Sequence, residues 1–333
     1  MILMKLKNVG ELQLIDRIKQ KVDSRGKTQS TSVVIGIGDD GAILRLPEGL
    51  QVVTTDTIVE DIHFSRSFGS WEDIGWKAMA SNLSDIAAMA GNPNYSLVTL
   101  GLPPEMELES VEKLYDGLLD CVDKFGGAVI GGDIVSSDKV FVTITVFGNV
   151  DGPLCCRANA KVGDSIAVTG CLGGPAAALK IVQLGLEDFN GGINSLAETH
   201  MRITPRVSEA KLLAQRGVIC SMDISDGLKN DLGKLCKASD VSALLVAEQI
   251  PVHPLAMQAF PNEFLDFAVS GGEDYELVLT ASSELLASIS SEFPNLVTII
   301  GRIGSSSEDA VSIFDKNGAP LNFISGGWNH FLS

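Results

Sequence analysis

Carboxylates recur in this chain at the ends of apolar runs and beside glycine. The segments are Gly38-Asp39-Asp40-Gly41, Thr54-Thr55-Asp56, Asn82-Leu83-Ser84-Asp85, Gly131-Gly132-Asp133, Asp223-Ile224-Ser225-Asp226-Gly227 and Gly271-Gly272-Glu273-Asp274. Acids that only solubilise a surface scatter over helix faces, whereas these stand where the chain emerges from its interior and turns, which is where sites are built. Singly, each segment reads as a turn, because Gly and Asp are the commonest turn residues. Together they predict a convergent site that would repel itself without cations. Oxygen-rich clusters of this kind suit hard divalent ions, and Mg²⁺ uses one or two carboxylates together with waters and substrate phosphates. The expected chemistry is that of nucleotides.

The 333 residues suffice for two domains. The turn-rich Asp151-Gly152-Pro153 is the best boundary, dividing the chain into 1–150 and 151–333. In the first part, residues 9–19 read as an amphipathic helix carrying Leu12, Ile15 and Ile18. Strands at Val33 to Ile37 and Gln51 to Thr54 run into Asp39-Asp40 and Asp56. A helix capped by Ser70 and Asp73 continues past Asp85 to Gly91, and a second spans Glu109 to Phe125 with Val111, Leu114, Leu118 and Val122 on one stripe. A strand at Ala128 to Ile130 is expected to stop at Gly131-Gly132-Asp133, and Val140 to Val146 alternates like a half-buried strand.

The second part opens with a strand at Ser165 to Val168, the Gly170 to Gly174 loop and an alanine-rich helix, a succession that suggests α/β layering. Residues 186–197 read as a flexible connection. Thr204 is the expected N-cap of a helix reaching Arg216, with Pro205 in its first turn. A strand from Val218 to Met222 ends in Asp223, a helix starts at about Ser225-Asp226, and a strand from Leu265 to Val269 leads into Gly271-Gly272-Glu273-Asp274. The segments Asn82 to Asp85 and Asp223 to Asp226 echo one another, as do Gly131-Gly132-Asp133 and Gly271-Gly272-Glu273, a hint that both halves face one ligand.

Several functions are disfavoured. A net charge of −17 argues against binding DNA or another polyphosphate backbone by bulk attraction. The start of the chain is too short in apolar residues for a signal peptide, and no run reaches the ~18 apolar residues of a membrane span. The cysteines form no C-x-x-C pair, so a reduced cytoplasm is the expected location. The Gly170 to Gly174 loop lacks the Lys-Ser/Thr of a P-loop, no G-x-G-x-x-G follows a strand, and no G-x-S-x-G elbow is present. Gly-Gly-Glu-Asp alone does not make a cyclic-dinucleotide synthase. His200 and His253 read as ordinary loop or surface residues. His63 reads as a substrate contact or a structural histidine, Arg157 as a phosphate clamp or a surface residue, and Trp328 as an anchor for the tail.

Taken in order, Asp39-Asp40, Thr54-Thr55-Asp56-Thr57 with His63-Phe64, Asn82 to Met89, Gly131-Gly132-Asp133, Asp223 to Leu228, Ser270 to Leu277 and Trp328-Asn329-His330-Phe331 resemble the thiamine-monophosphate kinase family. That family lies within the aminoimidazole ribonucleotide synthetase-like superfamily. The resemblance implies a two-domain α/β (α+β) fold, with N-terminal domains pairing into a dimeric β-barrel and a C-terminal α/β domain. It implies transfer of the γ-phosphoryl group of ATP to thiamine monophosphate by a homodimer, with several Mg²⁺ ions per site and no general base; it is compatible with K⁺. Asp40, Thr54, Thr55, Asp56, Asp85, Asp133, Asp223 and Asp226 would hold metal. Gly132, Asp133, Arg157, Ser225 and Phe125 would touch ATP, and His63, Glu273 and Trp328 the thiamine monophosphate. Phe125 stands where the family often has tyrosine, so stacking on the base survives there without a hydrogen bond; Gly173-Gly174-Pro175 replaces a serine-containing loop. The alternatives are a sister enzyme that activates an amide or carbonyl oxygen by phosphorylation, and a non-catalytic acidic cation-binding protein.

Overall fold

A computed structural model describes residues 5–9, 11–26, 33–35, 37, 43–44, 49–185 and 198–323. The chain divides into two compact units, Met1–Ile86 with Gly91–Asp151, and Ala87–Ala90 with Gly152–Ser333. No helix among the described residues is long and apolar enough to cross a membrane.

In the first unit, β1 (Val33–Ile35) and β2 (Ile43–Leu44) pair with each other, and β3 (Leu50–Val59), β4 (Asn92–Leu102), β5 (Val129–Ser136) and β6 (Phe141–Val150) form a four-stranded sheet in the order β3-β6-β4-β5. Only β4 and β5 run parallel there. The alternation in β6 settles its faces. Val142, Ile144 and Val146 are buried, while Phe141, Thr143, Thr145 and Phe147 are half-exposed. On the open face the hydroxyls of Thr57 and Thr143 lie 2.8 Å apart, and Thr145 donates to Thr55 at 3.1 Å. Ile74, Met79, Leu83 and Ile86 of the helix Trp71–Ala88 and Leu114 and Leu118 of the helix Leu108–Phe125 are fully buried. Each is worth roughly 1.5–3 kcal/mol of hydrophobic stabilisation.

These two helices cross at glycine. A Cβ on Gly75 would lie 1.9 Å from the Leu114 carbonyl oxygen, and one on Gly117 would lie 1.7 Å from that of Glu72. The backbones therefore touch where no side chain fits. The helix Glu11–Ser24 buries Leu14, Ile18 and Val22, one turn apart, and joins the helix Leu108–Phe125 through Arg17–Glu112 at 2.8 Å and Lys21–Asp116 at 2.5 Å. Such partly exposed pairs contribute at most ~1 kcal/mol each.

Two strand ends lie elsewhere than the sequence suggests. β3 continues through Thr55-Asp56 to Val59, so Asp56 stands within a strand. β5 likewise runs through Gly131-Gly132-Asp133, pairing them with Leu97, Val98 and Thr99 of β4. The glycines serve close approach and not a turn: a Cβ on Gly132 would lie 1.8 Å from the Val98 carbonyl oxygen.

The second unit carries a seven-stranded sheet. Its strands are β7 (Ser165–Val168), β8 (Cys220–Asp223), β9 (Val241–Val246), β10 (Leu277–Ala281), β11 (Thr298–Ser305), β12 (Val311–Phe314) and β13 (Pro320–Leu321), in the order β13-β12-β9-β11-β7-β10-β8. Only β9 and β12 are parallel, so the layering is that of an α+β sheet. Ile166, Val168, Met222, Leu228, Leu232, Leu245, Val278 and Ile300 belong to its main core cluster.

The expected strand from Leu265 to Val269 is instead the helix Phe264–Ser270, which buries Ala268, Val269 and Ser270. An apolar run this short does not reveal its period, and packing decides. Phe267 meets Phe260 edge-on, with ring centroids 5.2 Å apart. The helix Val207–Gln215 begins after Arg206, not Thr204, and the helix Leu228–Ser239 begins after Gly227. Residues 186–197 lie outside the described residues.

Candidate functional site

In the first unit the functional side chains come from β3 and from the buried helix beside it. Strand alternation turns Thr54 and Asp56 toward the same side as buried Val52 and Ile58. There the hydroxyl of Thr54 donates to Asp85 Oδ2 at 2.6 Å. The backbone N–H of Asp56 donates to Asn82 Oδ1 at 3.0 Å, while Asn82 Nδ2 donates to the Ala78 carbonyl. Asn82, almost wholly buried, is thus a strut that fixes strand against helix at the level of the acids. Its place in the Asn-Leu-Ser-Asp segment was visible in the sequence; its role was not.

Register puts Thr55 on the opposite, open face with Thr145, and puts Asp133 in one row with Thr99, Thr143 and Thr57. The structure therefore joins Thr54 with Asp85, and does not bring the Thr55 or Asp133 side chains to them. Asp133 is exposed and accepts from the Ile134 N–H. Asp40 lies outside the described residues. Among the described residues no group of three or more His, Cys, Asp or Glu side chains is gathered tightly enough to hold a metal unaided.

His63 is positioned by the turn after β3. The Val59 N–H donates to its Nδ1 at 3.1 Å, so a neutral ring carries its proton on Nε2, and buried Lys77 donates to the His63 carbonyl at 3.1 Å. Phe125 ends its helix half-buried, edge-on to Trp76 at 5.9 Å, with Lys124 Nζ 5.1 Å from its ring centroid.

In the second unit β8 delivers buried Asp223, and the loop beyond it is held by a residue not anticipated from sequence. Asp231 Oδ2 accepts from the Ser225 N–H at 2.9 Å and from the Asp226 N–H at 2.8 Å, and its Oδ1 takes Lys234 Nζ at 2.7 Å. Burial pushes the Asp231 carboxyl up, against the pull of Lys234. Burial also opposes the Lys234 charge, but Asp226 and Asp231 outweigh it and raise the ammonium above its ordinary range. Asp226 Oδ2, an expected metal ligand, is 2.5 Å from Lys234 Nζ.

The Gly271 to Glu276 loop lies against the same segment. The Glu273 N–H donates to the Ser225 carbonyl at 2.7 Å, the Tyr275 N–H to that of Ile224 at 2.8 Å, and the Ile224 N–H to that of Glu276 at 2.8 Å. Glu276 is gripped by Arg206, whose Nε and Nη2 donate at 2.6 and 2.5 Å, and by the Thr169 hydroxyl at 2.6 Å. Burial disfavours the guanidinium charge, yet Glu276 more than offsets it and holds the Arg206 pKa above its usual value. Asp274 Oδ1 accepts from the Gly173 N–H at 2.8 Å. Although the residue is half-exposed, its carboxyl is buried and pushed well above the ordinary carboxylate range. His200 is only 5% exposed, with Nδ1 3.0 Å from Glu273 Oε2, so it is not the surface residue expected. His253 precedes the helix Pro254–Ala259, half-buried, and burial lowers its pKa. Arg157 begins a 3₁₀ turn with an exposed side chain, and Trp328 lies outside the described residues.

The chemistry offered is that of oxygen donors, carboxylate and hydroxyl, on a rigid strand-and-helix frame, and of a glycine-acid loop locked by main-chain bonds. Residues 38–150 match AIR synthase related protein, N-terminal domain, and residues 161–313 match AIR synthase related protein, C-terminal domain. The chain is 38% identical to the thiamine-monophosphate kinase of Bacillus subtilis (strain 168), over 90% of this chain and 94% of that protein. The crystal structure of thiamine-monophosphate kinase from Stenotrophomonas maltophilia K279a superposes with a TM-score of 0.80 at 33% identity, covering 92% of this chain and 96% of that one. A solved complex described as AaThiL with AMPPCP and TMP superposes with a TM-score of 0.77 at 30% identity, covering 99% and 100%.

Proposed function

The chain belongs to the AIR synthase related family and, within it, to the thiamine-monophosphate kinases, and from that premise we propose that it transfers the γ-phosphoryl group of ATP to the phosphate of thiamine monophosphate. The products are thiamine diphosphate and ADP. Near full-length similarity to kinases of this one substrate carries the reading, since the wider fold is shared with other chemistries.

The residues fit Mg²⁺ by their donor set. Thr54, Asp56 and Asp85 present hydroxyl and carboxylate oxygens without nitrogen or sulfur, the ligand set of a hard cation. Asp40, Thr55 and Asp133 are the further metal ligands proposed in the first unit, Thr55 and Asp133 from the open face of the sheet; Asp223 and Asp226 are those proposed in the second. Bound Mg²⁺ would neutralise phosphate charge in a loose transition state. The acceptor phosphate, with a second pKa of about 6, is mostly dianionic at neutral pH and needs no general base. What it needs from the chain is position. Gly132, Asp133, Arg157, Ser225 and Phe125 are the proposed ATP contacts. His63, whose ring is oriented by the Val59 N–H at Nδ1, Glu273 and Trp328 are the proposed contacts to thiamine monophosphate.

The enzyme works in the cytoplasm as a homodimer, with K⁺ an optional addition to Mg²⁺. Support for pairing comes from β3, an edge strand of ten residues that leaves Leu50 and Val53 exposed, the kind of edge that proteins cover. The test is a coupled ADP-release assay with Mg·ATP, with and without thiamine monophosphate, and with thiamine as control. Release only with the monophosphate, accompanied by thiamine diphosphate, is the expected result. Absence of stimulation overturns the substrate assignment.

A further inference from the structure

The Gly271 to Glu276 loop is immobilised along its backbone, yet that alone does not aim the carboxylate of Glu273. The residue sits at φ +71°, outside the comfortable region for a residue with a Cβ, and is held there by its N–H bond to Ser225. Its side chain is 26% exposed and carries enough rotatable bonds that an unguided carboxylate would sample many directions. One neighbour that restricts it is His200, at 3.0 Å from Oε2. The imidazole is itself fixed: residues 198–201 form one helical turn, Met201 and Ile203 beside it are buried, and six residues after His200 comes Arg206, doubly bonded to Glu276. One short segment thus grips the acidic loop at Glu273 and again at Glu276.

We propose that His200 is a positioning residue that orients the Glu273 carboxylate toward the cationic, amine-bearing part of thiamine monophosphate. The inference rests on the reading of this chain as a thiamine-monophosphate kinase with Glu273 in contact with substrate. The Nδ1 edge of the ring faces Oε2 at ion-pair distance and limits the directions in which the carboxylate presents its lone pairs. The approach is at ion-pair distance without an aligned hydrogen bond, the loose geometry that catalytic contacts often have before substrate binds. His200 does not itself meet the reacting atoms.

The experiment measures steady-state kinetics, each substrate varied separately, for the parent, His200→Ala, His200→Asn, Glu273→Ala and the His200→Ala/Glu273→Ala double variant. His200→Ala should raise KM for thiamine monophosphate about tenfold, as expected for losing a buried polar contact to a charged group, and leave KM for ATP within about twofold. His200→Asn, whose amide nitrogen falls near the position of Nδ1, should recover to within about threefold of the parent. In the Glu273→Ala background the histidine change should add nothing. Equal effects on both substrates, additive losses in the double variant, or a His200→Ala enzyme like the parent would overturn the proposal. If His200→Ala does not fold, His200→Gln, whose amide nitrogen falls near Nε2 and not Nδ1, decides beside His200→Asn: KM raised for thiamine monophosphate in the Gln enzyme alone supports the assignment, and equal KM values in the two enzymes refute it. A parent that fails to convert thiamine monophosphate overturns the function and this inference together. A parent that converts it while Glu273→Ala is unaffected removes Glu273 from the substrate site and His200 with it.

Discussion

Replacing Asp231 by alanine tests how the second unit holds its acidic loop. The carboxylate is fully buried, and one oxygen alone accepts the N–H groups of Ser225 and Asp226. Alanine leaves both donors without an acceptor. An unsatisfied buried donor costs ~1–3 kcal/mol, and since Ser225 and Asp226 are half-buried the lower end applies, ~1–1.5 kcal/mol each. Lys234 loses one partner but keeps Asp226 and is 40% exposed, so its share is discounted to ~0.5 kcal/mol. The expected total is ~3 kcal/mol, or a fall in Tm of about 6–12 °C for a unit of this size. Asp231→Asn keeps a carbonyl oxygen for the two N–H groups and should cost only ~1 kcal/mol. Urea denaturation of both variants, read as a shift in midpoint at constant slope, measures this directly. If alanine falls within ~0.5 kcal/mol of the parent, or asparagine is worse than alanine, the buried acceptor is not what holds the loop.

Gly117→Ala drives a methyl group into the Glu72 carbonyl at the helix crossing and should cost about 3 kcal/mol or prevent folding; an unperturbed melting temperature would refute the crossing geometry. Asp85→Asn keeps a partner for the Thr54 hydroxyl but removes the negative charge, so the Mg²⁺ concentration for half-maximal ADP release should rise at least about tenfold; an unchanged requirement removes Asp85 from the metal site. Asp274, its carboxyl pushed up by burial, binds a proton more tightly folded than unfolded. Its contribution is therefore present at low pH and is lost as pH rises from about 4 through the folded pKa. Asp274→Asn should abolish that slope and be the more stable form at neutral pH; urea midpoints that keep the parent's slope between pH 4 and pH 8 would refute it.

What could be read from the sequence were the features set by local chemistry. Helix stripes such as Val111, Leu114, Leu118 and Val122 follow from a period fixed by backbone geometry, and all four are buried. The ordered glycine-acid segments were enough to identify the family, because each reflects a demand on a few neighbouring atoms. What neighbouring residues do not fix is where a pattern ends and what it meets. Leu265 to Val269 is apolar enough for strand or helix, and only packing beside Phe260 chose the helix. Gly131-Gly132-Asp133 and Gly271-Gly272-Glu273 look alike in one dimension. Yet the first lies within a strand because it pairs with Leu97, Val98 and Thr99, with glycine where Val98 leaves no room for a side chain, and the second is a loop whose N–H groups bind the carbonyls of Ser225 and Ile224. The Thr54–Asp85 pair, the Asp231–Lys234 clamp and the approach of His200 to Glu273 join residues according to strand parity, helix phase and chain crossing. Spacing along the chain limits which side chains are available; the direction in which each one points is decided by the burial of its neighbours.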